Sequence, residues 1–277
     1  MISSVLFVLA ISASAADGPS LYSRQLVGFG GWPAGLVSDT RVQYRVPGKR
    51  SDSDLFQTTY YGVGGRFQAS PAFIDIGPRI SIAPIEIFDI EFQGGWTGYA
   101  GPFGPIPMSS LEGRIESARA ELEGAEIAIS KFEVSATPTL KLKVGPVIAY
   151  DGINAALVRA TKPEGVTERF WREPYRDMVL AYSDWAFEHE GALLFEAMDG
   201  DERPRLIFGA TARHRFSIVS QDSFTNVGPM VVVRPGTKKG IPTILGRGYF
   251  YVVDPERVGT APNLQFAAIW SFDKELD

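Results

Sequence analysis

Residues 88–96 read Phe88-Asp89-Ile90-Glu91-Phe92-Gln93-Gly94-Gly95-Trp96. Phe88, Ile90, Phe92 and Trp96 hold one parity, and Asp89, Glu91, Gln93 and Gly95 hold the other. Successive side chains of a strand point to opposite sides, so this stretch has one oily face and one wet face. Such a strand lies between two solvents. The same alternation recurs along the chain. Val42, Tyr44 and Val46 oppose Arg41, Gln43 and Arg45; Ile74, Ile76, Ile80 and Ile82 oppose Asp75, Gly77, Arg79 and Ser81. Leu140, Leu142 and Val144 oppose Lys141 and Lys143, and Leu206, Phe208, Ala210, Ala212 and Phe216 oppose Arg205, Thr211, Arg213 and Arg215. Ile244, Gly246, Gly248 and Phe250 oppose Arg247, Tyr249 and Tyr251, and a last row runs from Leu264 to Phe272.

This pattern predicts an all-β chain, an antiparallel transmembrane β-barrel of roughly 10 to 12 strands with lipid outside and polar side chains in the lumen. A soluble secreted or periplasmic β-sandwich also alternates, because each of its sheets buries one face. Three features favour the barrel. The apolar rows are long and carry aromatic residues toward their ends (Trp96 with Tyr99, Trp270 with Phe272), the opposite rows carry full charges, and the chain opens with an export-like leader. Closure follows from physics, since an unpaired backbone group in hydrocarbon costs several kcal/mol and an open sheet edge does not persist there.

The leader is the apolar run from Ile2 to Ile11, broken by Ser3 and Ser4 and followed by Ala13-Ser14-Ala15. It predicts a signal peptide over residues 1–16, although its first residues lack Lys and Arg, and one outer-membrane barrel domain over 17–277. With no Cys, there is neither a cysteine-anchored lipid nor a disulfide framework. No later segment reaches the ~18 to 20 apolar residues of a transmembrane helix, which excludes an α-helical membrane protein. The net charge of −5 comes with no basic patch, so nucleic-acid binding is not expected.

Several local signals read as breaks. Ala83 to Glu86, Thr137-Pro138, Asp151-Gly152, Glu188 to Gly191, Asp199 to Asp201 and Lys238 to Gly240 read as turns. The proline-rich stretch after Tyr99 and the polar stretch from Thr161 to Tyr175 read as long loops. Ser117 to Ser135 reads as a strand with one bulge, and a helix over Leu111 to Glu126 is the competing reading.

Some stretches are similar to a poorly characterised set of predicted outer-membrane proteins from myxobacteria and related bacteria. They are Ser70-Pro71-Ala72-Phe73 running into Ala83-Pro84-Ile85, Tyr182-Ser183-Asp184-Trp185, Gly228 to Val232, and Pro242 through Asn263-Leu264 to Asp273. The resemblance covers about two thirds of the chain and implies a barrel and an outer-membrane address. It transfers no catalytic residue and no ligand.

Chemistry is sparse. Outer-membrane lipid hydrolases place His and Ser two apart on a strand, which points both side chains the same way. Here Gly191 follows His189 at that spacing and Phe216 follows His214, while Ser217 falls on the opposite parity from His214. No enzyme activity is expected, though a cross-strand dyad using His214 leaves a lipid hydrolase as the alternative. Two His and no Cys argue against a soft metal site, Asp199 to Glu202 lacks the ligand spacing of a calcium loop, and Gly62 to Gly65 is no phosphate loop. No cofactor or metal is expected. The expected partners are outer-membrane lipids and the barrel-assembly machinery. The charged residues predicted to face the lumen are Asp75, Arg79, Asp89, Glu91, Lys141, Lys143, Arg205, Arg213, Arg215 and Arg247. In a small barrel such groups interlock as a structural filling or line a small-solute pore.

Overall fold

The computed structural model describes residues 18–30, 35–48, 59–99, 105–108, 128–174, 176–197, 205–234, 242–254 and 263–275. Among these, the strands are β1 (Ser20–Gly30), β2 (Leu36–Pro47), β3 (Tyr60–Ala69), β4 (Phe73–Ile85), β5 (Phe88–Tyr99), β6 (Ile106–Met108), β7 (Ile129–Val144) and β8 (Val147–Ala160). The rest are β9 (Phe170–Glu173), β10 (Met178–Ala181), β11 (Ser183–Glu196), β12 (Arg205–Ser217), β13 (Ser223–Arg234), β14 (Thr243–Val253) and β15 (Asn263–Glu275). Twelve of them close one antiparallel barrel in the order β1-β15-β14-β13-β12-β11-β8-β7-β5-β4-β3-β2, sealed where Ser20 pairs Glu275 and Gly30 pairs Gln265. The sandwich alternative is therefore not formed: one sheet closes on itself. No helix among the described residues is long and apolar enough to cross a membrane.

Strand directions define two ends. The base holds the start of β1, the end of β15 and the tight turns Glu86-Ile87 and Gly145-Pro146; the rim holds the turns 70–72 and 218–222 and the segment that carries β9 and β10. That segment forms a second sheet, ordered β10-β9-β6. β6 contains Pro107, which lacks an amide donor, and sits at the sheet's edge, where proline is tolerated in a strand.

The wall is creased on opposite sides. β4 and β13 stand six places apart in the ring of twelve, and each carries Gly-Pro at mid-strand, as Gly77-Pro78 and Gly228-Pro229. A Cβ on Gly77 would lie 1.9 Å from the Gly94 carbonyl oxygen, and one on Gly228 would lie 1.7 Å from that of Gly248. Only glycine permits so close an approach. Pairing lapses at both creases and resumes without a register change, from Ile76–Trp96 to Arg79–Gln93 and from Val227–Phe250 to Met230–Arg247.

The apolar rows point outward on all twelve wall strands. Leu21, Val42, Val63, Ile80, Phe92, Val134, Ile153, Leu193, Phe208, Val231, Ile244 and Leu264 are exposed, one from each strand. Aromatic side chains gather toward the ends: Phe29, Phe67, Trp96, Phe132 and Trp185 near the rim, and Tyr44, Tyr61, Phe195 and Phe272 near the base. Phe195 and Phe208 pair at the base with ring centroids 5.8 Å apart, and Phe187 and Phe216 stack at 5.3 Å toward the rim.

Several turn readings are corrected. β7 runs unbroken through Thr137-Pro138, with its partners on β8 skipped there and resumed in register at Thr139. Asp151-Gly152 lies within β8, whose hairpin turn is Gly145-Pro146; Gly145 takes φ +55°, the positive first position of a II′ turn. Glu188 to Gly191 lies within β11, where both glutamates face partners inside. β4 continues through Ala83-Pro84-Ile85, so the turn is Glu86-Ile87. The two long loops each contribute strand: Ile106–Met108, and Phe170–Glu173. β1 carries no clear signature because Gln25 faces out while Leu26 is fully buried inside. The leader, Leu111 to Glu126, Asp199 to Asp201 and Lys238 to Gly240 lie outside the described residues.

Candidate functional site: the lumen

The interior is built in three layers. The middle layer is ionic. On the β2–β5 side, Arg41 binds Asp39 at 3.0 Å and lies 3.8 Å from Glu91, which also pairs with Arg79. Asp75 accepts from Arg66 and, at 2.6 Å, from Thr97. On the opposite side Arg213 sits between Glu188 (3.6 Å) and Glu190 (3.1 Å) and donates to the Tyr249 hydroxyl at 3.0 Å. Arg215 reaches Glu188 at 2.6 Å, and Arg247 reaches Glu190 at 3.3 Å and Gln265 at 2.5 Å. Strand register makes these pairs: Glu190 stands opposite Arg213, and Glu188 opposite Arg215.

Toward the base, apolar side chains line one side of the lumen. Ile148, Leu194, Ile207, Val232 and Leu245 come from five consecutive strands and are all buried. Beside them Lys143 and Arg205 share Glu196, at 2.6 and 3.5 Å, and Lys141 pairs with Asp89.

Toward the rim, β9, β10 and the turn joining them enter the barrel. Trp171 is completely buried and packs edge-on to Tyr99 at 5.9 Å. The turn spans the lumen. On one wall Glu173 pairs with Lys131 at 2.9 Å and accepts from Tyr99, and Arg176 pairs with Glu133. On the far wall Arg215 donates to the Arg176 carbonyl, and Tyr251 donates to Asp177 at 3.0 Å. Asp177, at φ 56°, is tied back to Arg172 at 2.6 Å, and Asp222 accepts from the Val179 amide at 2.7 Å. Burial alone would raise the Glu173 carboxyl; Lys131 and Arg176, with hydrogen bonds from Tyr99 and Lys131, outweigh it and hold the group below the usual carboxylate value.

Of the ten residues predicted to face the lumen, Asp75, Arg79, Asp89, Glu91, Arg213, Arg215 and Arg247 are buried. Lys141 and Arg205 are partly buried near the base, and the Lys143 side chain is 39 % exposed there. Lumenal partners absent from that set include Asp39, Arg66, Lys131, Glu133, Glu173, Arg176, Glu188 and Glu190. Parity flags Asp39 and Arg66 once β2 and β3 are extended to their full lengths. Glu188 and Glu190 were hidden by the turn reading. No local signal marks Glu173 or Arg176, because their position depends on a loop folding into the barrel.

The histidines stand on the outer face. His189 and His214 are direct cross-strand partners on β11 and β12, and both are exposed. His189 Nε2 lies 2.6 Å from Asp151 Oδ1 on β8, and His214 Nδ1 lies 2.9 Å from Thr225 Oγ1 on β13. Ser217 is buried on the other face against Ser220, so it forms no dyad with His214. No group of three or more metal-ligating side chains occurs among the described residues.

No family model and no curated protein matches the chain. Solved structures of similar shape include the β domain of the Bordetella autotransporter Brka, at 11% identity, covering 92% of this chain and 100% of that one with a TM-score of 0.49. The translocator domain of the autotransporter NalP from Neisseria meningitidis follows at 10% identity, covering 98% and 94%, TM-score 0.45. LpxR from Salmonella typhimurium is 7% identical over 91% of this chain and 99% of that one, TM-score 0.43. The barrel itself rests on its own closed ladder of strand pairs.

Proposed function

We propose that the chain is an integral outer-membrane β-barrel that serves as a membrane-embedded scaffold, with a lumen closed to solutes. Two features support the membrane part of this reading. Soluble monomers rarely expose contiguous apolar patches beyond a few hundred Å², whereas here every wall strand turns large apolar side chains outward. The aromatic residues gather toward both ends, as expected where a wall crosses two water–lipid interfaces. Lipids of the outer membrane would then be the chief partner, with the barrel-assembly machinery acting during insertion after export. No cofactor and no catalytic step belong to this reading.

The observation that carries closure is that Glu173, Arg176 and Asp177 are held on both walls of the lumen, above an ionic layer and an apolar cluster on five adjacent strands. The protein reconstituted in planar bilayers is expected to be electrically silent. Discrete open steps from the unmodified protein, with an ion selectivity that changes when Arg213 and Arg215 are neutralised, would replace the scaffold by a small-solute pore.

A further inference from the structure

We infer that the outer wall over β8, β11 and β12 is a docking surface for a second copy of this chain, an inference resting on the reading that this wall faces lipid. Between the aromatic ends, Asp151, His189 and His214 are the only ionisable side chains turned outward among the described residues. They do not scatter around the barrel; they stand on three consecutive strands. His189 lies only two residues below Phe187, and Asp151 faces Gly191, two residues deeper still. Trp185 and Phe195 are ten residues apart on β11, about 25 Å of depth for a strand tilted by about 40°. The polar group therefore falls inside the apolar band, where hydrocarbon offers no hydrogen-bond partner.

The surroundings favour a flat protein surface as occupant. Ala149, Ala155, Gly191, Ala210 and Ala212 turn outward around the polar group and leave it a shallow floor. Small residues of this kind let two walls approach closely, with polar side chains bonding across the contact. The patch is also self-complementary. Asp151 spends one oxygen on His189, and each imidazole engages one ring nitrogen, leaving an acceptor and two ring nitrogens to meet those of an identical patch. A twofold contact brings the same surface against itself, which is the symmetry such a mixed patch satisfies.

The absence of Cys makes the test clean. The folded protein is reconstituted in phospholipid vesicles, with heat-modifiable migration checked in each sample. Its mass is measured in mild detergent by sedimentation, and Ala212→Cys is treated with a short bis-maleimide. The expected result is a dimer mass and a cross-linked dimer from Ala212→Cys, with none from Val63→Cys on β3, which stands diametrically opposite β12. The double variant His189→Leu/His214→Leu should stay heat-modifiable, sediment as a monomer and lose at least tenfold in cross-linking yield at Ala212→Cys. A monomer mass for the unmodified protein, or equal cross-linking at both cysteines, overturns the inference. So does a monomer that carries phospholipid lost in the histidine variant, which would assign the patch to a lipid headgroup. Recovery of folded protein without detergent would instead defeat the membrane reading beneath it.

Discussion

Glu173 shows how a single side chain fastens a loop inside a barrel. Its carboxylate is completely buried and accepts from Lys131, Tyr99 and the Arg176 amide, so each of its two oxygens has a donor. Breaking a buried pair leaves a charge uncompensated. Glu173→Ala is therefore expected to lower stability by about 3 kcal/mol in urea unfolding followed by tryptophan fluorescence. The pH dependence has a definite sign. The folded group's pKa lies below the ordinary 4.5, so its contribution is complete above that value and disappears as pH falls through the lower, folded value. Glu173→Gln should accordingly flatten the acid limb of stability below about pH 4.5. An unchanged acid limb would remove Glu173 from that role.

At the level of elements, the creases and the filled lumen give the barrel its form. Gly228 lets β13 and β14 come together; Gly228→Ala would drive a Cβ into the Gly248 carbonyl and should cost about 1–3 kcal/mol, read as a lower temperature for heat-modified migration. Ser135 is a lumenal position on β7 and is 4% exposed. Ser135→Cys should resist a water-soluble maleimide until the protein is unfolded, and rapid labelling of the folded protein would show a water-filled channel. Strand recognition by parity worked for β2, β4, β5 and β12, where one face is charged and the other branched or aromatic. It failed inside β7, β8 and β11. There Pro138, Gly152 and Gly191 carry the local chemistry of turns, while neighbouring strands hold them extended, β5 alone at Pro138 and a strand on each side at the two glycines. A paired backbone overrides a local preference worth about 1 kcal/mol.

The whole molecule buries a core and still exposes an apolar exterior, and that combination makes hydrocarbon the medium that suits its outer wall. Ile80 is 49 % exposed at the middle of β4. On a soluble protein Ile80→Arg would change stability by no more than about 0.5 kcal/mol, whereas in a bilayer it should cost about 2–4 kcal/mol. Unfolding from vesicles, compared with the unmodified protein, separates the two. Single-tryptophan variants offer a second measure: a quencher carried on lipid chains should dim Trp96 and Trp185, which face outward, and spare the buried Trp171. Equal quenching of all three would contradict the orientation of the wall.

The sequence by itself determined the two-faced strands, the outward direction of the Ile, Phe and Trp rows, and the inward direction of charges such as Glu91, Arg213 and Arg247. These follow from the two-residue period of an extended chain, a property of neighbours in sequence. Tertiary structure decided what period cannot carry: which strands meet, and hence that Glu190 serves both Arg213 and Arg247. It also decided that the turn bearing Glu173 and Arg176 folds into the lumen and that both histidines share one patch of the outer wall. Those arrangements depend on pairings between residues far apart along the chain, and closure of the ring settles them all at once.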